Sequence, residues 1–239
     1  MKIFGVCKQI SYLVLSVLVC CNDKKINQYE STQLNYPVIL DACHLASIDR
    51  NEVNMQSGYY YPLYIGEITD TIAINKLKYS VTHFMSDYRD GRDYSYPEDS
   101  SVLKIFIDTT RFICYTEKSY GKDTFSLKYY NGYPLILLNN SSDTVRVASG
   151  PFIPAKLEAL TPEGKWQAIE QELIPMDENG LNRLFLPPRY TVICAIPVYK
   201  GDFDTKLRLK FRNFTSAPFS GSINITQLDI NTYKNNFID

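Results

Sequence analysis

Few residues of this chain are of types that perform covalent chemistry, and their spacing is informative. His44 and His83 are its two imidazoles, and neither stands in a nucleophile or metal signature such as Gly-x-Ser-x-Gly or His-x-x-x-His. Cys43 and His44 are adjacent, but neighbours on a strand point to opposite faces, and a nucleophile–base pair is built from spatial adjacency. Packing or surface is the expected place of both. The acidic run Asp87, Asp90, Asp93, Glu98 and Asp99 surrounds Gly91, a turn residue of the kind a hard-cation loop needs. Its spacing is not the alternating one of a calcium loop, and Arg89 and Arg92 offer the carboxylates partners, so a solvated, salt-bridged loop is expected. There is no Cys-x-x-Cys pair to frame a structural zinc site. The expectation is therefore no catalytic residue, no metal and no cofactor. A glycan hydrolase using two carboxylates stands as the rival reading, because nothing among the 26 acidic residues singles out a pair.

Two other groups suit recognition. In "TKLRLKFR", Lys206, Arg208, Lys210 and Arg212 alternate with Leu207, Leu209 and Phe211, which would set four cations along one strand face about 7 Å apart. Such a stripe would meet an anionic glycan, lipid headgroups or an acidic protein; the weightier reading is that it keeps the strand from pairing with strangers. In "GYYYPLY", Tyr59, Tyr60, Tyr61 and Tyr64 would stack on sugars, anchor a protein partner, or cover the rim of the core, and rim packing is slightly favoured. With 25 basic against 26 acidic residues, nothing in the overall charge favours nucleic acid as a partner.

The N-terminus says where these surfaces would be presented. Lys2 and Lys8 precede and flank an apolar run, Ile10 to Val19, in which Ser11 and Ser16 are the polar members. A spanning helix needs about 20 apolar residues, so this run has the length of a signal-peptide core. Cys20 and Cys21 follow it directly, and "LVCC" places Leu18 three residues before Cys21 with a small side chain in between. This segment resembles the signal of bacterial lipoproteins. In the other register, "VLVC", bulky Val19 precedes Cys20, a departure from that pattern. The resemblance implies cleavage and lipid attachment at Cys20 or Cys21, a membrane as partner, and a place at the cell envelope, facing the periplasm or the surface. An ordinary signal or a short uncleaved anchor is the competing account.

The elements that must position the candidate residues are strands. Residues 1–20 read as the signal and 21–35 as a polar tether, "NDKKINQYESTQLN" having no period of either kind. Beyond it, β-branched and aromatic runs such as "DTIAI", "VLKIFID", "PLILLNN", "DTVRVAS", "YTVICAIPV" and "SGSINIT" recur between Pro, Gly, Asn and Asp clusters, without a helical stripe of useful length. The fold class is all-β, an antiparallel sandwich. Residues 116–239 resemble an immunoglobulin-like or fibronectin-like domain in strand pattern, and "LPPRYTVICAIPVYKGDFDTKLRLKF" is similar to uncharacterised envelope lipoproteins. Residues 36–115 supply either further strands of that sandwich or a smaller β lobe. Cys114 and Cys194 are the pair an oxidising compartment would bridge, although two small buried thiols is the favoured reading. The function expected is an exported, lipid-anchored β-sandwich that binds an envelope protein or glycan. An assembly accessory of an envelope complex is the third reading.

Overall fold

Short β-branched and aromatic runs, broken every few residues by turn formers, fold here into strands rather than helices. A computed structural model describes residues 37–41, 59–74, 85–87, 96–99, 101–120, 125–170 and 182–229. In chain order the strands are β1 (Val38–Asp41), β2 (Tyr59–Tyr60), β3 (Tyr64–Glu67), β4 (Thr71–Ile74), β5 (Met85–Asp87), β6 (Leu103–Ile107), β7 (Ile113–Tyr120), β8 (Phe125–Asn139) and β9 (Val145–Ser149). They continue as β10 (Ile153–Pro154), β11 (Lys156–Leu160), β12 (Trp166–Ala168), β13 (Asn182–Leu186), β14 (Tyr190–Pro197), β15 (Phe203–Phe211), β16 (Phe214–Thr215) and β17 (Phe219–Ile223). The helical content among the described residues is a 3-10 turn at Ile225–Leu228.

One five-stranded sheet runs β3-β14-β8-β6, with β7 also paired to β8, and a second runs β12-β11-β15-β16, with β17 also paired to β15. Both are antiparallel. In the first, Leu135 lies opposite Cys194 and Leu137 opposite Val192. In the second, Leu157 lies opposite Leu209 and Ala159 opposite Leu207. All of these side chains meet in a single hydrophobic core, so the two sheets are the layers of a β-sandwich. A smaller sheet, β5-β13-β9, adds Val147, Leu184 and Leu186 to that core. Each leucine buried this way contributes about 1.5–3 kcal/mol relative to exposure. The one parallel pairing among the described residues, β1 with β4, is not legible in the sequence, because the two strands are separated by about 30 residues of other chain.

Pro37–Asp239 is one compact unit, and residues 1–35, the expected signal and tether, lie outside the described residues. The boundary expected between residues 115 and 116 falls inside β7, and the first sheet takes β3 and β6 from one side of it and β8 and β14 from the other.

Two turns decide how the second sheet presents its outer face. β11 and β12 are joined at "PEG": Thr161 N donates to Lys165 O at 2.7 Å, Gly164 N donates to Thr161 O at 2.9 Å, and Gly164 takes φ +75°, a left-handed value that glycine adopts without strain. β15 turns into β16 through Arg212 and Asn213, with Phe211 paired to Phe214. Arg212 has φ +50° there and leaves the strand direction, so it is not the fourth member of the stripe. A two-residue hairpin needs positive φ, and that requirement ends the alternation one residue early. The expected strand "SGSINIT" is likewise shorter: it stops at Ile223, where the Asn224 side chain accepts from Thr226 N and Gln227 Oε1 accepts from Asn224 N, starting the 3-10 turn.

Candidate functional site

The alternation in β15 puts Leu207, Leu209 and Phe211 in the core and Asp204, Lys206, Arg208 and Lys210 on the outer face. Each outer residue meets a different neighbour. Arg208 lies opposite Glu158 on β11, donates from Nε to Glu158 Oε2 at 2.8 Å, and brings a second guanidinium nitrogen to 2.7 Å of the same oxygen. Its guanidinium carbon also sits 4.2 Å from the centre of the Trp166 ring. This cation is therefore committed within the protein. Lys210 is half-buried opposite Lys156, and Arg212, beyond the strand, stacks at 3.4 Å over Tyr96, a ring that Arg146 also approaches at 4.5 Å. A continuous cationic stripe does not form, because β11 places a carboxylate beside its middle and the hairpin removes its end.

At the start of β15 the same face opens into a shallow trough of about 750 Å³, lined by Leu160, Phe203, Asp204, Lys206, Ser220 and Ser222 among others. Register fixes its polar groups: Asp204 lies opposite Ser222, and Lys206 opposite Ser220 on β17. Lys206 Nζ donates to Ser220 Oγ at 2.8 Å, and Ser222 Oγ accepts from Gly201 N at 3.3 Å. Gly201 is required at that approach, since a Cβ there would stand 2.0 Å from the carbonyl carbon of Ile223. The Asp204 carboxylate is exposed and makes no hydrogen bond or ion pair among the described residues.

No known protein family, curated protein or solved structure matches this chain. The chemistry of the face has to be read from its own geometry.

The tyrosine cluster is divided by the strand pleat. Tyr59 pairs with Pro154 in β2. Tyr60 is buried and unable to stack on a ligand, whereas Tyr61 is 53% exposed with its ring edge-on to Phe152 at 6.0 Å. Tyr64 is half-buried and folds back to donate to Glu67 O at 3.0 Å. Among the side chains described, the segment supplies one core tyrosine, Tyr60, one surface tyrosine, Tyr61, and one half-buried tyrosine, Tyr64.

Tyr60 leads to a cluster that sequence reasoning does not find. Glu170, only 3% exposed, accepts hydrogen bonds from Tyr60 Oη, from Tyr199 Oη at 2.8 Å and from Leu157 N at 2.9 Å. Burial, and then the Glu170 carboxylate, push the Tyr60 phenol well above its ordinary value, so it stays a neutral donor. Nothing in the sequence flags Glu170, because its hydroxyl donors lie 110 and 29 residues away. The cluster is sealed, and its geometry is that of a structural linkage.

Cys114 and Cys194 are both buried, and no disulfide joins them. β8 stands between their strands, and Cys194 points into the core, where burial raises its thiol far above the range in which a thiolate forms. Of the acidic run, Asp87 belongs to β5, and Glu98 and Asp99 are exposed. Asp90, Asp93, Cys43, His44 and His83 lie outside the described residues, as do Cys20 and Cys21. Among the described residues no three His, Cys, Asp or Glu side chains gather as a metal site, and no helix is long and apolar enough to cross a membrane.

Proposed function

We propose that this is an exported protein, held at the cell envelope by lipid on Cys20 or Cys21, whose β-sandwich binds a partner or ligand and performs no catalysis. The observation that carries the binding role is the trough beside β15, where a carboxylate without a partner among the described residues, an ammonium and two hydroxyls share one exposed sheet face. Its openness suits a ligand laid across the sheet better than water-excluded chemistry. The anchor rests on the ten-residue apolar run Ile10–Val19 followed at once by paired cysteines. One acyl chain holds a protein only marginally, at about 0.8 kcal/mol per buried CH₂, so durable attachment takes two or more.

Metabolic labelling with a fatty-acid analogue tests the anchor. Label and membrane retention are both lost in Cys20→Ser/Cys21→Ser, and Cys21→Ser alone has at least the effect of Cys20→Ser. Label that persists in the double variant defeats the assignment. The binding role is tested by retention of the full-length protein, in detergent, on immobilised envelope material.

A further inference from the structure

We infer that the trough at the start of β15 is a carbohydrate site that takes an uncharged, hydroxyl-rich sugar chain; this rests on the binding role proposed above and gives its ligand a chemical class. Four polar side chains mark the site. Asp204 and Lys206 stand two residues apart on β15, and Ser222 and Ser220 stand directly opposite them on β17. Residues two apart along a strand are about 7 Å apart, and directly opposed Cβ atoms about 5 Å. The four therefore outline a rectangle with the footprint of a pyranose ring.

Their remaining hydrogen-bonding capacity suits such a ring. Asp204 offers only acceptors, and none is taken among the described residues. Lys206 gives one of its protons to Ser220 Oγ and keeps two. Ser220 Oγ and Ser222 Oγ each accept a hydrogen bond, from Lys206 and from Gly201 N, and each keeps its own proton to donate. Vicinal hydroxyls, which both donate and accept, satisfy all four groups at once. The apolar part of the floor is Leu160, which would meet the C–H face of the ring; Phe203 reaches the trough only from the core side, where it packs, and Trp166, directly opposite Leu160 on β12, is covered on one side by the Arg208 guanidinium.

Charge argues against an anionic ligand. Asp204 and Lys206 both lie inside the trough and balance one another, so an anion held by the Lys206 ammonium would stand about 7 Å from a like-charged carboxylate, while Arg208, the nearest guanidinium along the strand, is already neutralised by Glu158. The trough is open and broad, which favours successive units of a chain over a single enclosed sugar.

Affinity electrophoresis of the full-length protein in detergent decides the matter. The gels carry soluble glucan, mannan, xylan or galactan in turn, with a polyuronate and a polyphosphate as anionic probes. The expected result is retardation by at least one neutral polysaccharide that persists at high salt, where the Debye length falls to about 3 Å. Asp204→Ala and Ser222→Ala each weaken it about tenfold, the effect of losing one good hydrogen bond, and Lys210→Ala, outside the trough, leaves it unchanged. Should Asp204→Ala lower the thermal midpoint, Ser222→Ala reads the same site through an independent side chain. Retardation that survives both substitutions overturns the inference, as does the absence of retardation by every neutral probe. Retardation by the polyanions alone, lost with salt and with Lys210→Ala, overturns the sugar site and leaves the binding role standing. Failure to be retained by any probe or by immobilised envelope material overturns both.

Discussion

Glu170 and Asp204 are both carboxylates set beside two hydroxyl-bearing side chains, one buried and the other on the outer face of the second sheet. Around Glu170 the partners are Tyr60, Tyr199 and the Leu157 amide, and each donates to it. Around Asp204 the hydroxyls are those of Ser220 and Ser222, and neither is directed to the carboxylate among the described residues. Both settings place a carboxylate beside two hydroxyls, phenolic around Glu170 and aliphatic around Asp204. What differs is desolvation: a carboxylate removed from water costs several kcal/mol unless its oxygens are occupied, so the buried one has drawn donors from three separate strands or loops. The exposed one is hydrated and leaves its bonding capacity to a ligand. The Glu158–Arg208 pair lies between these cases, a nearly buried carboxylate on an otherwise solvated face, held by one cation.

The largest effect is expected at the sealed site. Glu170→Ala leaves two phenols and an amide without their acceptor inside the protein and costs about 3 kcal/mol or more in urea denaturation, since each unmet buried group is worth about 1–3 kcal/mol. A loss below about 1 kcal/mol would remove the distinction drawn between the two carboxylates. Alkaline pH probes the same cluster with a defined sign. Tyr60 has a raised phenol value in the folded protein, so its contribution is fully present below the unfolded tyrosine value of about 10 and is lost as pH rises from there through the folded value. Stability of the wild type therefore falls more steeply above about pH 10 than that of Tyr60→Phe; equal slopes would show that Tyr60 ionises as freely as in the unfolded chain.

An intermediate effect is expected at Arg208. Arg208→Ala strands Glu158 and uncovers Trp166, costing about 1–3 kcal/mol, whereas Lys210→Ala, two residues on, stays within about 0.5 kcal/mol. Equal and small effects would return Arg208 to the free cationic stripe that the sequence suggested. The smallest effect belongs to Asp204→Ala, which should leave the thermal midpoint nearly unchanged, within about 0.5 kcal/mol. A cost approaching that of Glu170→Ala would make the trough a structural feature.

Local pattern made part of this legible. The alternation in "TKLRLKFR" identifies β15 and its two faces, because side chains on a strand alternate whatever lies beside them. The same logic reads β6, β9 and β14 from their apolar runs. It does not reach the length of an element when a partner ends it: Arg212 leaves the stripe because β16 pairs back at Phe214. Nor does it tell a core tyrosine from a surface one in "GYYYPLY", since Tyr60 is drawn inward by a carboxylate 110 residues away.

By itself the sequence determined that the chain is a protein of strands, which face of β15 is apolar, and that a turn falls at "PEG", because each of these depends on residues a few positions apart. It also holds, in linear order, the apolar run and paired cysteines on which the proposed anchor rests. Only the tertiary structure decided which charges are spent and which are open. Glu158 claims Arg208, Tyr60 and Tyr199 close over Glu170, and Asp204 is left facing solvent, each through the register of strands far apart in the chain. Whether a polar group is satisfied depends on what packing brings within about 3 Å of it, and no spacing along a sequence encodes that distance.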